Sequence, residues 1–233
     1  MDRGLNELLK WSIENTAPNT TATSNGVTTP NGAPASQSEP AAAGTVQPAP
    51  PNTEVLAALF GGPSEADLMR AAVEVISSTD PAVTLDDKLV AFDNLEQLIE
   101  SLDNANNLAA LGLWTPLLGA LAHEAPELRR MAAWCVGTAV QNNEPSQERL
   151  LAAGGIPPLV RLVADGAQPA DVRRKAVYAL SSAVRNYQPA MDELLKELRN
   201  GSWTGWPDAV EATDMEAVDV VMNRLKEEVK VAS

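Results

Sequence analysis

The chain has one cysteine and one histidine, Cys135 and His123, and a thiol nucleophile with its general base would require both. Cys135 falls on an alanine-rich helical face, where a small buried thiol is the usual finding. His123 lies in the segment LAHEAP beside Glu124, without the further ligands that a metal site needs. The acidic residues are spread over solvent-facing helical positions and form no general acid–base pair. We therefore expect neither catalysis nor a metal or other cofactor.

A pattern of basic, aromatic and small polar residues recurs at helical spacing and is suited to binding another protein. Its members, called the ladder below, are Arg130, Trp134 and Thr138, then Arg174, Tyr178 and Ser182, and in a degenerate copy Lys88, Phe92 and Glu96. Arginine and aromatic side chains dominate the energetics of protein interfaces, so such rows on neighbouring helices predict a binding groove. The sequence leaves open the alternative that the three aromatic side chains pack between repeats instead.

The elements that must position the ladder form an internal repeat. Residues 128–151 align without a gap to residues 172–195 at an offset of 44. Matched pairs are Arg129 with Arg173, Asn142 with Asn186 and, at an offset of 42, Gly112 with Gly154. This period is typical of armadillo or HEAT units, and the low aromatic content of 4% favours closely packed helices.

We therefore predict an all-α fold, an armadillo-like helical repeat array with two clear repeats, one degenerate repeat and helical caps. The last helix of each unit lines the concave side of such an array, so the ladder would form a shallow groove.

Composition divides the chain into five segments. Residues 17–53 are rich in Pro, Thr, Asn and Gly and are predicted to be disordered, because they cannot bury enough apolar surface to offset their ordering entropy. This linker follows an N-terminal segment, residues 1–16. After it we predict N-terminal capping helices at residues 54–84, armadillo-like repeats at residues 85–200, and a loop with a capping helix at residues 201–233.

Capping residues mark the predicted helix starts. Ser64 and Thr84 predict two N-termini, and the apolar spacing of the second helix extends to Leu102. Thr213 and Glu216 have the spacing of a capping box for the final helix. The apolar face of that helix is predicted to be Val218, Val221, Met222, Leu225 and Val229.

Charge narrows the classes of partner. The net charge of −14 disfavours nonspecific attraction to nucleic acid or to an anionic membrane. Between Leu128 and Arg199, however, basic residues outnumber acidic ones, which marks this zone for a partner. The N-terminus carries Asp2, Glu7 and Glu14 and no long apolar run, and a single cysteine allows no internal disulfide. We expect a cytoplasmic monomer that binds neither nucleic acid nor membrane.

Several motifs, taken in order along the chain, resemble those of a known family. They are ELLKWSIEN, LFGGPSEADLM, KLVAFDNLEQLIESLDNANN, LGLWTPLL, MAAWCVGTAVQNN and RRKAVYALSSAVRNYQPAMD. Together they are similar to the armadillo-type nucleotide exchange factors of the seventy-kilodalton heat-shock chaperones, in particular the short fungal cytosolic form. Longer members continue with further repeats after the position of Met191, where this chain has a loop with Trp203 and Trp206 and one capping helix.

The resemblance implies a partner and a mechanism without chemistry. In this family the helical body grasps one lobe of the chaperone's ATPase domain and displaces the other, which releases ADP; ATP then rebinds and the client is freed. Carried over by position, a turn at residues 103–107 and the end of the TAVQNN helix belong to the grasping surface. With the ladder, the predicted contacts are Asn104, Ala105, Asn106, Arg130, Trp134, Thr138, Gln141, Asn142, Arg174, Tyr178, Ser182 and Arg185.

The N-terminal segment also has a counterpart in the family, where it is thought to mimic an unfolded client and to compete in the chaperone's peptide groove. In this chain the mimicking residues would be Leu8, Leu9, Trp11 and Ile13. In an extended strand the last three point one way, which suits a groove for apolar peptides. The alternative is that the segment folds back on the repeats as a capping helix.

A function of a different class is also compatible with these residues. A passive armadillo adaptor would use the same groove to hold an acidic peptide without changing the nucleotide state of its partner. Release of ADP from the chaperone separates the two functions.

Overall fold

Helix boundaries follow the capping residues at the start of the folded region. The computed structural model describes residues 62–201 and 203–231, and within these it contains ten α-helices and no strand. The first two are α1, Glu65–Ser77, and α2, Leu85–Ile99. The Ser64 hydroxyl accepts a hydrogen bond from the backbone N–H of Asp67, and Thr84 forms a reciprocal capping box with Asp87. Both predicted N-caps are confirmed.

Two complete three-helix repeats follow, and a shorter C-terminal section closes the array. The first repeat comprises α3, Leu102–Ala110, α4, Trp114–Gly119, a single 3-10 turn, Ala120–Ala122, and α5, Pro126–Val140. The second comprises α6, Glu144–Ala152, α7, Ile156–Ala164, and α8, Ala170–Val184. The last two helices are α9, Gln188–Asn200, and α10, Met215–Val231.

The backbone geometry repeats together with the sequence. Gly112 and Gly154, which match at an offset of 42, have φ angles of 69° and 70°. Asn142 and Asn186, which match at an offset of 44, have φ angles of 51° and 59°. Glycine and asparagine tolerate this left-handed region better than other residues, so each repeat uses the same turns. The prediction of an all-α repeat array is confirmed for the described residues.

The third helices of successive units pack against one another. Helix α5 lies between α2 and α8, and α10 follows α8. Ala132 and Ala139 on α5 and Ala176 and Ala183 on α8 are fully buried, as expected of a closely packed alanine-rich face. This stack places the rows of the ladder on adjacent helices.

The C-terminal helix begins differently from the prediction. The Asp214 carboxylate accepts hydrogen bonds from the backbone N–H groups of Glu216 and Ala217, at 3.1 Å each. The predicted capping box of Thr213 and Glu216 is therefore wrong. Two cap-forming residues stand side by side here, and the carboxylate is favoured at the positive end of the helix dipole. The predicted apolar face is confirmed, because all five of its residues are buried.

The chain also breaks where a continuous helix was predicted. Ser101 adopts an extended conformation, with φ −71° and ψ 128°, and separates α2 from α3. Leu102 therefore begins α3 and is exposed, rather than continuing the apolar stripe of α2. Residues 103–107, predicted to form a turn, lie within α3 because the chain breaks at Ser101 instead.

Two predicted segments, residues 1–16 and 17–53, lie outside the described residues, and with them Leu8, Leu9, Trp11 and Ile13. Of the predicted N-terminal capping helices, the part at residues 54–61 also lies outside them, and α1 is the capping helix that the structure describes. Across residues 62–201 and 203–231, none of the helices combines the length and the apolar character that crossing a membrane requires.

Candidate functional site

The ladder lies on three neighbouring helices, but its aromatic members differ in burial. Trp134 on α5 and Tyr178 on α8 are half-buried, whereas Phe92 on α2 has 0% exposure and belongs to the hydrophobic core. For Phe92 the interpretation as a packing residue is therefore the correct one. The accessible part of the ladder is concentrated on α5 and α8.

A cluster of positive charge surrounds the two accessible aromatic rings. The ammonium of Lys175 lies 3.6 Å from the centroid of the Trp134 ring and 5.4 Å from that of Tyr178. Arg130 approaches Asp171 with a distance of 3.6 Å between Nε and Oδ2, which is longer than a hydrogen bond. We call Arg130, Arg174 and Lys175 the cationic cluster; with Asp171 and Tyr178 they line a shallow cleft of about 400 Å³.

Lys175 was not among the predicted site residues, although a signal for it exists. It precedes Tyr178 by three residues on α8, and residues at this spacing lie on one helical face. Burial lowers the pKa of the Lys175 ammonium, and the charge of Arg130 lowers it further, while Glu96 opposes the change. The lowered pKa reflects a cation that has lost water and stands beside another cation.

Polar side chains of the ladder connect adjacent helices. The Thr138 hydroxyl on α5 donates to the Glu96 carboxylate on α2, with 2.8 Å between the oxygens. The Tyr178 hydroxyl on α8 donates to the side-chain carbonyl of Gln141 at the end of α5, at 3.0 Å. These bonds fix the relative position of the three helices at the surface where the ladder lies.

The C-terminal end of α8 is held by a residue that the sequence did not single out. The Gln147 side-chain amide, which is buried, lies within 3.1 Å of the backbone carbonyls of Ser182, Ala183 and Arg185. Ser182 is itself only 8% exposed. Arg185 forms a short ion pair with Asp219 on α10. The predicted site residues at this end are thus partly engaged within the protein.

Helix α3 presents the other predicted contacts unequally. Ala105 is 1% exposed and Asn104 is 5% exposed, so neither offers its side chain to a partner in this conformation. The Asn104 amide donates to the Glu65 carboxylate at 2.8 Å and to the Leu98 carbonyl at 3.0 Å. Asn106 is exposed and accepts a hydrogen bond from Ser146 at 3.1 Å. Helical geometry explains the difference, because positions 105 and 108 face the core while position 106 faces outward.

Cys135 and His123, the two residues considered for catalysis, have structural contacts within the protein. Cys135 is fully buried, its sulfur lies 3.7 Å from the Phe92 carbonyl oxygen, and burial raises the pKa of its thiol well above the ordinary value. His123 Nδ1 accepts the backbone N–H of Ala125 at 3.0 Å, which fixes the turn before α5. In the region that the structure describes, no three metal-ligating side chains are grouped in a way that could hold a metal ion.

The tryptophan pair of the C-terminal loop packs against the array. The ring centroids of Trp203 and Trp206 are 6.2 Å apart, and Trp206 is 7% exposed. The Arg224 guanidinium lies 4.1 Å from the centroid of the Trp206 ring and donates to the carbonyls of Thr204 and Gly205. The pair therefore joins this loop to α10.

Two family models together match most of the chain. Residues 5–108 match the model described as nucleotide exchange factor Fes1. Residues 104–201 match the model described as the SIL1/FES1/HPBP1 C-terminal domain. The second match covers the two complete repeats except for the first two residues of α3, and it includes the ladder rows on α5 and α8.

Curated relatives agree with these matches. The chain is 59% identical over 230 residues to "Hsp70 nucleotide exchange factor FES1" of Gibberella zeae, with 98% of each chain covered. It is 48% identical over 240 residues to the protein of that name from Coccidioides immitis, which covers 97% of this chain and 99% of the relative. A Neurospora crassa protein, "Hsp70 nucleotide exchange factor fes-1", is 56% identical over 174 residues, or 70% of each chain. By its full-length similarity to these relatives, the chain belongs to the Fes1 family of nucleotide exchange factors.

Proposed function

We propose that this protein is a nucleotide exchange factor for an Hsp70 chaperone. The observation that carries the proposal is the 59% identity, over 98% of both chains, to a relative named for this activity. Because the match is continuous over nearly the whole chain, the similarity does not come from one shared repeat alone. In keeping with the cytosolic form that the motifs resemble, we propose that it acts as a monomer in the cytoplasm.

The mechanism we propose is differential binding to two states of the chaperone. The helical array binds the ATPase domain when its lobes are apart more tightly than when they are closed on ADP. It can shift that equilibrium only by the difference between the two affinities. ADP leaves from the open state, ATP rebinds, and the client is discharged. No side chain of the exchange factor has to react.

We propose that the accessible part of the ladder is the contact surface for the ATPase domain. It joins half-buried aromatic rings to the cationic cluster, and hydrogen bonds between α2, α5 and α8 hold these groups in place. Preorganised aromatic and cationic groups lose little conformational entropy when a partner binds. Asn104 and Ala105, being buried, would act by holding α3 in position, whereas Asn106, Gln141 and Asn142 are exposed.

The N-terminal segment would act at the client-release step of the chaperone cycle. We propose that residues 1–16 compete with the client for the peptide groove, reached through the linker at residues 17–53. Once the array has docked, the tether holds the segment near the same partner at an effective concentration on the order of millimolar, so weak binding suffices.

Release of a fluorescent ADP analogue from Hsp70, followed by stopped flow, tests the exchange function. We expect acceleration at micromolar concentrations of this protein. A passive adaptor would bind Hsp70 and leave the release rate unchanged, and that result would reject the proposal. A variant without residues 1–16 should accelerate ADP release normally but discharge the client more slowly; equal loss of both activities would show that the segment belongs to the folded body.

A further inference from the structure

Lys175 differs from the other described lysines in its surroundings. Lys88, Lys196, Lys226 and Lys230 each donate to an oxygen at between 2.7 and 3.3 Å. Among the hydrogen bonds of the described residues, none involves the Lys175 ammonium, which instead lies on the Trp134 ring at 3.6 Å. An aromatic face attracts a cation but does not satisfy its N–H donors. The donors of Lys175 are therefore available to an acceptor from outside.

The charges around Lys175 do not neutralise one another. Arg174 is exposed, and within the described part of the chain its side chain forms no hydrogen bond or ion pair. Asp171 is the acidic residue of the cleft, and it stands 3.6 Å from Arg130 without hydrogen-bonding to it. Glu96, the carboxylate that acts electrostatically on Lys175, accepts its hydrogen bond from Thr138. Three cations thus face one cleft with a single carboxylate among them, and that carboxylate also accepts the backbone N–H of Val172 at 2.9 Å.

We propose that the cationic cluster receives a carboxylate of the Hsp70 chaperone, an Asp or Glu side chain on its surface, and that Lys175 is the anchor of this contact. The proposal rests on the exchange function proposed above and names the chemistry that the partner must present. An ammonium already held on an aromatic ring has little rotamer entropy left to lose, and Arg130 and Arg174 can complete the coordination of the carboxylate oxygens. The net charge of −14 of the whole chain disfavours an extended polyanion at the same cleft.

Binding of nucleotide-free Hsp70 to charge-matched variants tests the proposal. Lys175→Met removes the charge and keeps an apolar stem on Trp134. Lys196→Met removes the same charge from α9, where Lys196 pairs with Glu193 by an exposed contact. We expect the dissociation constant to rise about tenfold for Lys175→Met and less than twofold for Lys196→Met, with a shallower salt dependence for Lys175→Met. Arg174→Gln, at an exposed position, provides a second variant should Lys175→Met fold poorly, and it should weaken binding about threefold.

Zero-length coupling with a carbodiimide identifies the acceptor. The reagent joins an amine and a carboxylate only where they are in contact, and the resulting amide can be located by mass spectrometry. We expect Lys175 to be joined to an Asp or Glu of Hsp70. Links formed only through Lys88, Lys196, Lys226 or Lys230 would overturn the proposal.

The two proposals fail in different ways. If the wild-type protein accelerates ADP release while Lys175→Met and Arg174→Gln bind Hsp70 as tightly as the wild type, the carboxylate contact is wrong and the exchange function stands. If the wild-type protein leaves ADP release unchanged, the exchange function is wrong and the carboxylate contact loses its basis.

Discussion

Replacing Gly137 with alanine tests the close packing of α5 against α8, on which the ladder depends. A Cβ at this position would lie 2.4 Å from Cε1 and 2.6 Å from Cδ1 of Tyr178, and 3.1 Å from Cα of Ala179. The Tyr178 ring cannot move freely, because its hydroxyl donates to Gln141. Because the added Cβ would also be too close to the backbone of Ala179, α5 and α8 would have to move apart.

The expected cost follows from two opposing effects. Overpacking a closely fitted interface costs about 1 to 3 kcal/mol, and contact with backbone as well as ring places this site near the upper end. Alanine returns about 1 kcal/mol because it is the better helix former. The free energy of unfolding should therefore fall by about 2 kcal/mol. Gly119→Ala is the matched control, because a Cβ there meets no atom within 4 Å, and it should raise stability by up to about 1 kcal/mol.

Urea denaturation followed by far-UV circular dichroism measures both variants. Displacement of Tyr178 should also weaken acceleration of ADP release by Gly137→Ala at concentrations where the protein remains folded, whereas Gly119→Ala should release ADP normally. If Gly137→Ala were as stable as Gly119→Ala, the close approach of α5 to α8 would be refuted.

Three further predictions concern the clamp on α10, the buried thiol and an N-cap. Arg173, 2% exposed, clamps α10 by donating to the carbonyls of Glu228 and Val229 as well as that of Val163, so Arg173→Met should lower the free energy of unfolding by about 3 kcal/mol. The half-buried Arg129 donates to two carbonyls, and Arg129→Met should lower it by about 1 kcal/mol. Equal losses of stability for the two variants in thermal or urea denaturation would contradict the clamp. Because burial raises the pKa of Cys135, a thiol reagent should modify it slowly in native buffer and rapidly in denaturant, and fast native modification would show that α5 opens readily. Hydrogen bonds from the backbone and side chain of Thr84 lower the pKa of Asp87, so the stability that Asp87 contributes is present at neutral pH and is lost as the pH falls through the lowered folded-state pKa. Asp87→Asn should therefore flatten this part of the acid denaturation curve, and an unchanged curve would contradict the capping box.

Features that depend on local chemistry were predictable from the sequence. Ser64 and Thr84 begin helices because their hydroxyls reach backbone N–H groups within one turn, and no distant residue has to be known. The repeat was predictable for a related reason, since matched residues such as Gly112 and Gly154 adopt the same backbone conformation. The sequence predicts the wrong N-cap for α10 because Thr213 and Asp214, which can both cap a helix, are adjacent.

Features that depend on packing between helices were less predictable. Phe92 occupies the same ladder position as Trp134 and Tyr178, yet it is fully buried because neighbouring helices enclose it, and one helix's periodicity cannot show this. Lys175 was overlooked because its partner ring, Trp134, belongs to the preceding repeat. The burial of Ala105 likewise depends on how α3 packs, which the resemblance could not supply.

The most direct measurement is the rate at which a fluorescent ADP analogue leaves Hsp70, with the wild-type protein and Arg174→Glu compared in one experiment. Arg174 is exposed on the ladder, so the substitution reverses charge at the proposed contact surface without disturbing the core. We predict that the wild-type protein accelerates release at micromolar concentration and that Arg174→Glu needs about tenfold more protein for the same rate, as expected for a reversed charge in an interface. Equal rates for the two proteins would contradict the location of the surface, and no acceleration by the wild-type protein would contradict the exchange function itself.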